Sequence, residues 1–131
     1  MQHAQRRFGP MESFEIPYLL RYKIGGRYDK HADSERYDEA ARLWYRSADR
    51  DVSLLIYLND DFEGGELTFS RLNYTYRPKA GDVVMFPSGN LFLHQAMEVT
   101  RGTKYALVTW AALKATQKLF RGATRNPPIR I

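Results

Sequence analysis

The stretch TKYALVTWAAL, residues 103–113, is the longest of seven segments that have the composition of a β-strand. Val, Ile, Leu, Thr, Tyr and Phe are abundant in these segments, and such side chains fit the pleated, half-buried surface of a sheet. Turns that contain glycine, proline or asparagine separate them. The pattern predicts a mainly β chain, a sandwich or a jelly roll. The other six segments are IPYLLRYKI (16–24), DVSLLIYLN (51–59), GELTFS (65–70), NYTYRP (73–78), DVVMFPS (82–88) and LFLHQAMEV (91–99).

Two further segments predict short helices. SERYDEAARLWYRSAD, residues 34–49, opens on Ser34 and continues with helix-forming residues. ALKATQKLFRG, residues 112–122, carries cations in its last turn, where they suit the helix dipole. Because the first segment interrupts an all-β run, we expect residues 34–50 to form an excursion over the mouth of a barrel. Its role is left open between a substrate lid, which would use Trp44 and Tyr45, and a solvated loop.

The totals limit the class of protein. A chain of 131 residues fits a single domain, residues 1–131. The net charge of +5 is confined to the end of the chain: from Ala111 onward there are five Lys and Arg and no Asp or Glu, so the remainder sums to 5 − 5 = 0. A basic tail over residues 114–131, without an aromatic platform beside it, disfavours nucleic acid as a partner.

The absence of cysteine excludes disulfides and thiolate metal sites, so a metal would need nitrogen and oxygen ligands. The N-terminal residues lack the pattern of a signal peptide, and no segment approaches the length of a membrane span. The expected location is therefore the cytoplasm, and no membrane partner is expected.

His31 and Asp33 are two residues apart, so in a strand they would point to the same side. With a second histidine from a neighbouring strand, they would form the facial triad of two histidines and one carboxylate that binds Fe(II) in non-haem oxygenases. His94, inside LFLHQAMEV, is the candidate third ligand. By itself the His-x-Asp pair is also compatible with a charged loop.

Lys104 distinguishes the two readings. It stands ten residues after His94, across the turn at Arg101-Gly102, inside an apolar run where a lysine is costly without an anionic partner. A cation there can pair with the far carboxylate of a dicarboxylate that chelates the metal. Arg101 competes for this role, and it lies in a turn where a solvated arginine is ordinary.

At this point the chain resembles the Fe(II)- and 2-oxoglutarate-dependent dioxygenases, and within them the prolyl 4-hydroxylase-like branch. The resemblance covers about residues 18–113 as the catalytic core. It rests on four motifs in order: YKIGGRYDKHAD (22–33), SLLIYLNDDFEGGELTF (53–69), PKAGDVVMFPS (78–88) and HQAMEVTRGTKYALVTW (94–110). The fold that it implies is a double-stranded β-helix, a cupin-like jelly roll, with few short helices.

The resemblance implies that His31, Asp33 and His94 bind Fe(II) as catalytic residues and that Lys104 binds the C5 carboxylate of 2-oxoglutarate. Tyr57 and Tyr22 match positions that contact this co-substrate, although strand tyrosines are usually packing residues. The implied reaction is hydroxylation of a substrate carbon with O2, releasing succinate and CO2, and ascorbate is an optional reductant. The implied substrate is a prolyl residue in a protein or peptide.

Three alternatives stay open. The substrate could be a free amino acid or another small metabolite. A nucleic-acid demethylase of the same superfamily fits the basic character, but not the confinement of the charge to the tail. A cupin-like binding module would keep the fold without oxygenase chemistry, and it has no need of a buried cation such as Lys104.

The chain departs from the family in its N-terminal part, because relatives usually carry helices there that support the main sheet. Only about 20 residues precede Tyr22. An uncovered apolar sheet face would favour association, so the expected state is a monomer or a homodimer.

Overall fold

The computed structural model describes residues 6–119 and the backbone of residues 129–130. Most of the regular structure is antiparallel β, and within the described residues helix is limited to residues 6–8 and two 3-10 turns, Ser70–Leu72 and Asn90–Phe92. The strands are β1 (Met11–Phe14), β2 (Tyr18–Tyr22), β3 (Tyr28–His31), β4 (Glu35–Asp38), β5 (Leu43–Arg46), β6 (Val52–Tyr57), β7 (Glu63–Gly64), β8 (Leu67–Phe69), β9 (Tyr74–Tyr76), β10 (Val83–Pro87), β11 (His94–Ala96), β12 (Val99–Arg101), β13 (Lys104–Leu113) and β14 (Ile129–Arg130).

The larger sheet is organised around β13, the longest strand. Its order is β10-β6-β13-β1-β14, and β2 pairs with the other half of the β13 edge that β1 uses. Along β6 and β13 every second residue faces inward: Ser53 stands opposite Trp110, and Tyr57 stands opposite Ala106. The predicted segment 103–113 is thus the central strand, and its length lets it contact three other strands over one core.

The smaller sheet has the order β3-β11-β8-β9, and it faces the larger sheet across the core. Two further ladders, β4-β5 and β7-β12, have two strands each. The buried core joins both sheets, and its members are Leu55, Tyr57, Leu67, Phe69, Phe86, Ala106 and Val108. All seven predicted strand segments contain observed strands, and the predicted mainly β, jelly-roll fold is confirmed.

The predicted helix over residues 34–49 is wrong, because these residues form the β4–β5 hairpin. At its turn the Asp38 carboxylate accepts hydrogen bonds from the backbone N–H groups of Ala40 and Ala41 (2.9 and 3.0 Å). Tyr37 pairs across the hairpin with Trp44, and their ring centroids are 5.5 Å apart. A cross-strand aromatic pair and an Asx-type turn therefore outweigh the helix propensity of the intervening residues.

The second predicted helix, over residues 112–122, is also not formed where the structure describes it. Strand β13 continues to Leu113, and residues 114–119 form turns and irregular backbone. The Lys118 ammonium bonds the backbone carbonyl of Leu113 (2.5 Å) and lies 3.1 Å from the Glu12 carboxylate. The remainder of this prediction, residues 120–122, lies outside the described residues.

The face of the larger sheet that points away from the core is apolar and partly uncovered. Leu19 is 62% exposed and Val83 is 54% exposed. This agrees with the expected exposure of an apolar sheet face, while the oligomeric state stays a prediction. Across residues 6–119, none of the helical turns has the length and apolar character needed to cross a membrane.

Candidate active site

His31 and His94 face each other across the β3–β11 ladder of the smaller sheet. His31 is the last residue of β3 and His94 the first of β11, and the two are direct partners in the antiparallel register. Their ring centroids are 4.3 Å apart. Antiparallel pairing therefore places the two imidazoles side by side at the open edge of the core.

Asp33 reaches the histidines from beyond the strand end. The expected placement of His31 and Asp33 on one strand is wrong, because β3 stops at His31. The backbone N–H groups of Asp33 and Ser34 both donate to the Ser88 carbonyl (3.1 and 3.0 Å). This bend, held by the end of β10, directs the carboxylate toward the imidazoles.

The three side chains have the geometry of a metal site. His31 Nε2 lies 3.3 Å from Asp33 Oδ1, and His94 Nε2 lies 3.6 Å from Asp33 Oδ2. All three ligand atoms lie within 4.8 Å of one another. Ligands at about 2.1 Å from a shared ion would be about 3 Å apart in adjacent positions, so a small contraction fits one ion.

Hydrogen bonds fix which nitrogen of each imidazole is available. His31 Nδ1 donates to the Asp29 carbonyl (2.7 Å), and His94 Nδ1 donates to the Phe92 carbonyl (2.9 Å). A carbonyl can only accept, so each Nδ1 carries the proton and each Nε2 is left with a lone pair in the neutral ring. Both lone pairs lie on the Asp33 side, which is what a shared metal requires.

The electrostatics suit a divalent cation with nitrogen and oxygen ligands. Burial opposes ionisation of Asp33, but contacts with His31, His94 and Ser53 outweigh it and hold its pKa at about 2. Burial lowers the pKa of His94 and so favours the neutral ring. Burial also acts to lower the pKa of His31, yet the hydrogen bond with Asp33 leaves it raised. In His31, then, a proton and a metal would compete for Nε2.

Two buried hydroxyls support Asp33, and the sequence interpretation missed both. Ser53 Oγ donates to Asp33 Oδ2 (2.5 Å) and is 2.8 Å from Ser88 Oγ. Ser53 and Ser88 are 0% and 2% exposed. A signal was present, because a serine inside the apolar run DVSLLIYLN needs a hydrogen-bond partner once it is buried.

Arg50 is a third residue that the sequence interpretation missed, and it holds the backbone of Asp33. Its guanidinium bonds both carboxylate oxygens of Glu15 (2.5 and 2.8 Å) and donates to the Asp33 carbonyl (3.3 Å). The same group lies 3.7 Å from the centroid of the Trp110 ring. These contacts join β1's flank, the bend at Asp33 and the end of β13, and no sequence spacing indicated them.

Lys104 lies at the other end of the inner face of β13 and is 2% exposed. Its ammonium donates to the Gly65 carbonyl (3.0 Å) and lies 4.4 Å from the centroid of the Tyr22 ring. Burial lowers its pKa to about 8, and the negative charge of Glu66 partly counters that effect. No carboxylate lies within ion-pair distance of it among the described residues, so it is a buried cation able to take an anionic ligand.

Glycine is needed at the close approach of this loop to Lys104. Gly65 has a φ of +69°, and a Cβ built there would lie 3.2 Å from Lys104 Cδ and 3.1 Å from the Phe62 ring. The absence of a side chain at Gly65 therefore lets its carbonyl reach the lysine.

Tyr22 and Tyr57 flank Lys104 on the neighbouring strands. Tyr22 pairs directly with Lys104 in the β2–β13 register, and Tyr57 pairs with Ala106, which faces the same side as Lys104. Tyr57 is 1% exposed, and burial is the main cause that raises its pKa. Burial is also the main cause that raises the pKa of Tyr22, so both tyrosines are neutral, and Tyr57 is part of the buried core.

Arg101, the competing cation, is at the surface. It lies on β12, its side chain is 74% exposed, and its guanidinium is 2.6 Å from the Glu63 carboxylate. Between the two candidates, the structure buries Lys104 and leaves Arg101 solvated and paired.

A cavity of about 830 Å³ opens onto the triad. Its floor includes Leu55, Leu67 and Val108 from the core, and Tyr22 lines it on the side of Lys104. Its rim includes Lys30 and the β4–β5 hairpin. The excursion predicted over residues 34–50 thus borders the cavity, as a hairpin rather than a helix.

The sequence of this chain is similar to that of a known protein superfamily. Residues 17–112 match the model of the 2OG-Fe(II) oxygenase superfamily. The match spans most of the chain, and the chain belongs to this superfamily. Fe(II), 2-oxoglutarate and O2 are the cofactor and co-substrates that membership implies.

Several relatives are prolyl hydroxylases by name. The chain is 38% identical over 112 residues to prolyl 3-hydroxylase 2 of Rattus norvegicus, covering 72% of this chain and 16% of the relative. It is 34% identical over 100 residues to a PKHD-type hydroxylase of Psychrobacter, covering 72% and 36%. The chain thus spans well under half of each of these relatives.

Solved structures show the same fold. The viral collagen prolyl hydroxylase of Paramecium bursaria Chlorella virus-1, solved with 2OG, superposes with a TM-score of 0.70 at 25% identity, covering 86% of this chain and 68% of that one. A prolyl-4-hydroxylase of Pseudomonas putida gives a TM-score of 0.64 at 27% identity, covering 86% and 58%. The predicted resemblance to the prolyl 4-hydroxylase-like branch is confirmed.

Proposed function

We propose that this chain hydroxylates a prolyl residue in a protein or peptide, using Fe(II), O2 and 2-oxoglutarate and releasing succinate and CO2. One observation carries the proposal. Two histidine Nε2 atoms and a carboxylate border the cavity, and Tyr22, which also lines it, contacts the buried ammonium of Lys104, which has no carboxylate partner among the described residues. A ligand with two carboxylates would satisfy both the triad and Lys104.

His31, Asp33 and His94 would hold the iron, and bound Fe(II) with 2-oxoglutarate and O2 would supply the oxidising chemistry. The protein would position these groups and exclude water from them. Asp33 offers a charged oxygen, because its pKa is held at about 2. The carbonyls of Asp29 and Phe92 keep both histidine Nε2 atoms available to the ion.

Lys104 would bind the far carboxylate of 2-oxoglutarate. Its ammonium now donates to the Gly65 carbonyl, and a carboxylate is a stronger acceptor for a cation than a neutral carbonyl. Tyr22 would lie against the co-substrate, since it lines the cavity and contacts Lys104. Tyr57 would support the carboxylate with its hydroxyl, and ascorbate would restore Fe(II) after unproductive turnover.

The prolyl substrate is supported by the names of the relatives and by the shape of the rim. A cavity bordered by exposed aromatic side chains suits the ring of proline in an extended peptide. A free amino acid would leave much of that rim without a contact. The cytoplasmic location and the monomeric or homodimeric state stay predictions.

The test is succinate release from 2-oxoglutarate, measured with and without O2, Fe(II) and a proline-containing peptide. We expect release that needs both O2 and Fe(II), is increased by the peptide, and is matched by hydroxylated peptide in mass spectra. Under nitrogen, 2-oxoglutarate should raise the melting temperature of the metal-loaded chain.

The control variant is Asp29→Ala, which removes an exposed carboxylate paired with Arg27 but keeps the backbone carbonyl that bonds His31. It should behave as the unmodified chain. No turnover in reconstituted protein, together with no stabilisation by 2-oxoglutarate, would leave the cupin-like binding module as the better account. Turnover of free proline but not of peptides would point to a small-molecule substrate.

A further inference from the structure

Two cations on the rim of the cavity have side chains without an acidic partner among the described residues. Lys30 precedes His31, and Arg36 follows Asp33 by three residues, so they lie on either side of the metal-site segment; both are exposed and line the cavity. Throughout residues 6–119, neither side chain is in an ion pair or a hydrogen bond. By contrast, Arg50, which also lines the cavity, is bonded to Glu15.

The acidic residues that line the cavity are already engaged. Among its described lining residues only Asp33 and Glu35 are acidic. Asp33 belongs to the triad and accepts the hydrogen bond from Ser53. Glu35 Oε2 accepts hydrogen bonds from the backbone N–H (2.5 Å) and the side-chain amide (2.6 Å) of Asn90. Among the described lining residues, the rim therefore presents two uncompensated positive charges and no uncommitted negative one.

Aromatic faces accompany these charges. Tyr28 is 52% exposed, and its ring lies 4.4 Å from the His31 ring. Tyr37, 42% exposed, pairs with Trp44 on the β4–β5 hairpin. All three line the cavity. Aromatic-lined grooves suit proline-containing extended chains, while the cations beside them suit acidic side chains.

We propose that this rim selects peptides in which the target prolyl residue is flanked by Asp or Glu, with Lys30 and Arg36 contacting the acidic side chains. The inference rests on the proposed function and names its substrate class more closely. Charges at a solvated rim act mainly on encounter and binding, so the selectivity lies in Kd and KM rather than in kcat.

Binding of labelled peptides tests this without requiring turnover. A set of otherwise identical peptides carries Glu, Ala or Lys on either side of one proline, and fluorescence anisotropy gives Kd for each. We expect Glu peptides to bind about two- to fivefold more tightly than Ala peptides per acidic residue, and Lys peptides to bind more weakly. Because the contacts are solvated, 0.5 M salt should remove most of this ranking.

Charge reversal locates the effect. Lys30→Glu and Arg36→Glu should each reduce the preference for Glu peptides, and the double variant should prefer Lys peptides. The matched control is Arg21→Glu, which makes the same change of charge at an exposed residue of β2 that does not line the cavity, between Leu20 and Tyr22, which do. The control should keep the ranking of the unmodified chain.

Three results would overturn the inference. The first is equal binding of Glu, Ala and Lys peptides. The second is an unchanged ranking in the double charge-reversal variant that still gains stability from 2-oxoglutarate. The third is a single-stranded oligonucleotide that competes more effectively than every peptide, which would assign the aromatic and cationic rim to nucleic acid. Loss of succinate release with an intact peptide ranking would instead contradict the proposed function alone.

Discussion

The buried polar residues next to the cavity and the residues of its rim differ in almost every physical respect. In the buried part, Lys104 and Tyr57 are 2% and 1% exposed, and Asp33 is fixed by Ser53 and the backbone of Ser88. At the rim, Tyr37 and Lys30 are exposed, and Lys30 has no ionic partner within the described part of the chain. Burial makes each inner polar group costly unless its partner is present, whereas rim groups are free of that constraint. We infer that the buried residues bind the metal and the co-substrate, and that the rim residues select the substrate.

This division would fail if the triad were dispensable, and Asp33→Ala gives the largest expected effect. Removing the Asp33 carboxylate leaves only the two imidazoles of the triad to hold a metal ion. It also removes the carboxylate that accepts the hydrogen bond from the buried Ser53 hydroxyl. We expect Fe(II)-dependent succinate release to fall by more than about 100-fold, beyond the usual loss for groups that only support a ligand. Steady-state turnover checks this against Asp29→Ala, and near-normal activity of the Asp33 variant would contradict the metal assignment.

Lys104→Ala tests the proposed role of the buried cation in binding 2-oxoglutarate. Loss of a charge-assisted hydrogen bond corresponds to about 1.5–3 kcal/mol of binding free energy. The Kd for 2-oxoglutarate should therefore rise about 10- to 150-fold. Metal affinity should change little, since Lys104 contacts Gly65 and Tyr22 and not the triad. The comparison variant is Arg101→Ala, whose side chain is at the surface. A larger effect from Arg101 than from Lys104 would reverse the assignment.

Ser53→Ala tests whether the buried hydroxyl that bonds Asp33 contributes to metal affinity. The change removes the 2.5 Å hydrogen bond to Asp33 but leaves His31, Asp33 and His94 unchanged. Supporting groups of this kind typically contribute 10- to 100-fold to metal affinity, so we expect a loss of about that size in metal titrations. Exposed Ser70→Ala is the control. Equal metal affinity in the two variants would show that Asp33 is positioned by its backbone alone.

The pH dependence of 2-oxoglutarate binding sharpens the role of Lys104. Its pKa in the free protein is lowered to about 8, and a bound carboxylate favours the charged form and so raises it. Affinity should thus be constant below pH 8 and fall about tenfold per pH unit above it, until the pKa of the complex is reached. Stabilisation by 2-oxoglutarate under nitrogen measures this. Lys104→Arg, which stays charged, should bind with no such decline, and a decline of equal slope would assign the titration elsewhere.

Trp44→Ala gives the smallest expected effect and probes the rim. Trp44 lines the cavity and pairs with Tyr37, so its removal should raise KM for a prolyl peptide by about three- to tenfold. The KM for 2-oxoglutarate should be unchanged. Tyr45→Ala, on the same strand but outside the cavity lining, is the matched control. Equal effects on KM from both variants would indicate a loss of hairpin stability rather than a substrate contact.

The sequence predicted the framework well because its signals are local. Alternating and apolar runs located the main strands, and the central strand over residues 103–113 was among them. His31, His94 and Lys104 stood out because a metal needs nitrogen ligands and a buried lysine needs an anion. The helix expected over residues 34–49 is wrong for a different reason: Glu, Ala and Arg favour helix one residue at a time, but the Tyr37–Trp44 contact depends on the pairing of two strands in the hairpin.

By itself, the sequence determined the class of fold, the three candidate ligands and the two cations from which the co-substrate anchor would come. Only the tertiary structure buried Lys104 and left Arg101 paired with Glu63 at the surface. Only the tertiary structure brought Asp33 to the histidines through a bend held by Ser88 and set Ser53 and Arg50 behind it. Within residues 6–119 it also left the side chains of Lys30 and Arg36 unpaired at the rim. The physical reason is that burial and partnership depend on residues far apart in the chain, such as Ser53 and Asp33, whose proximity no local pattern encodes.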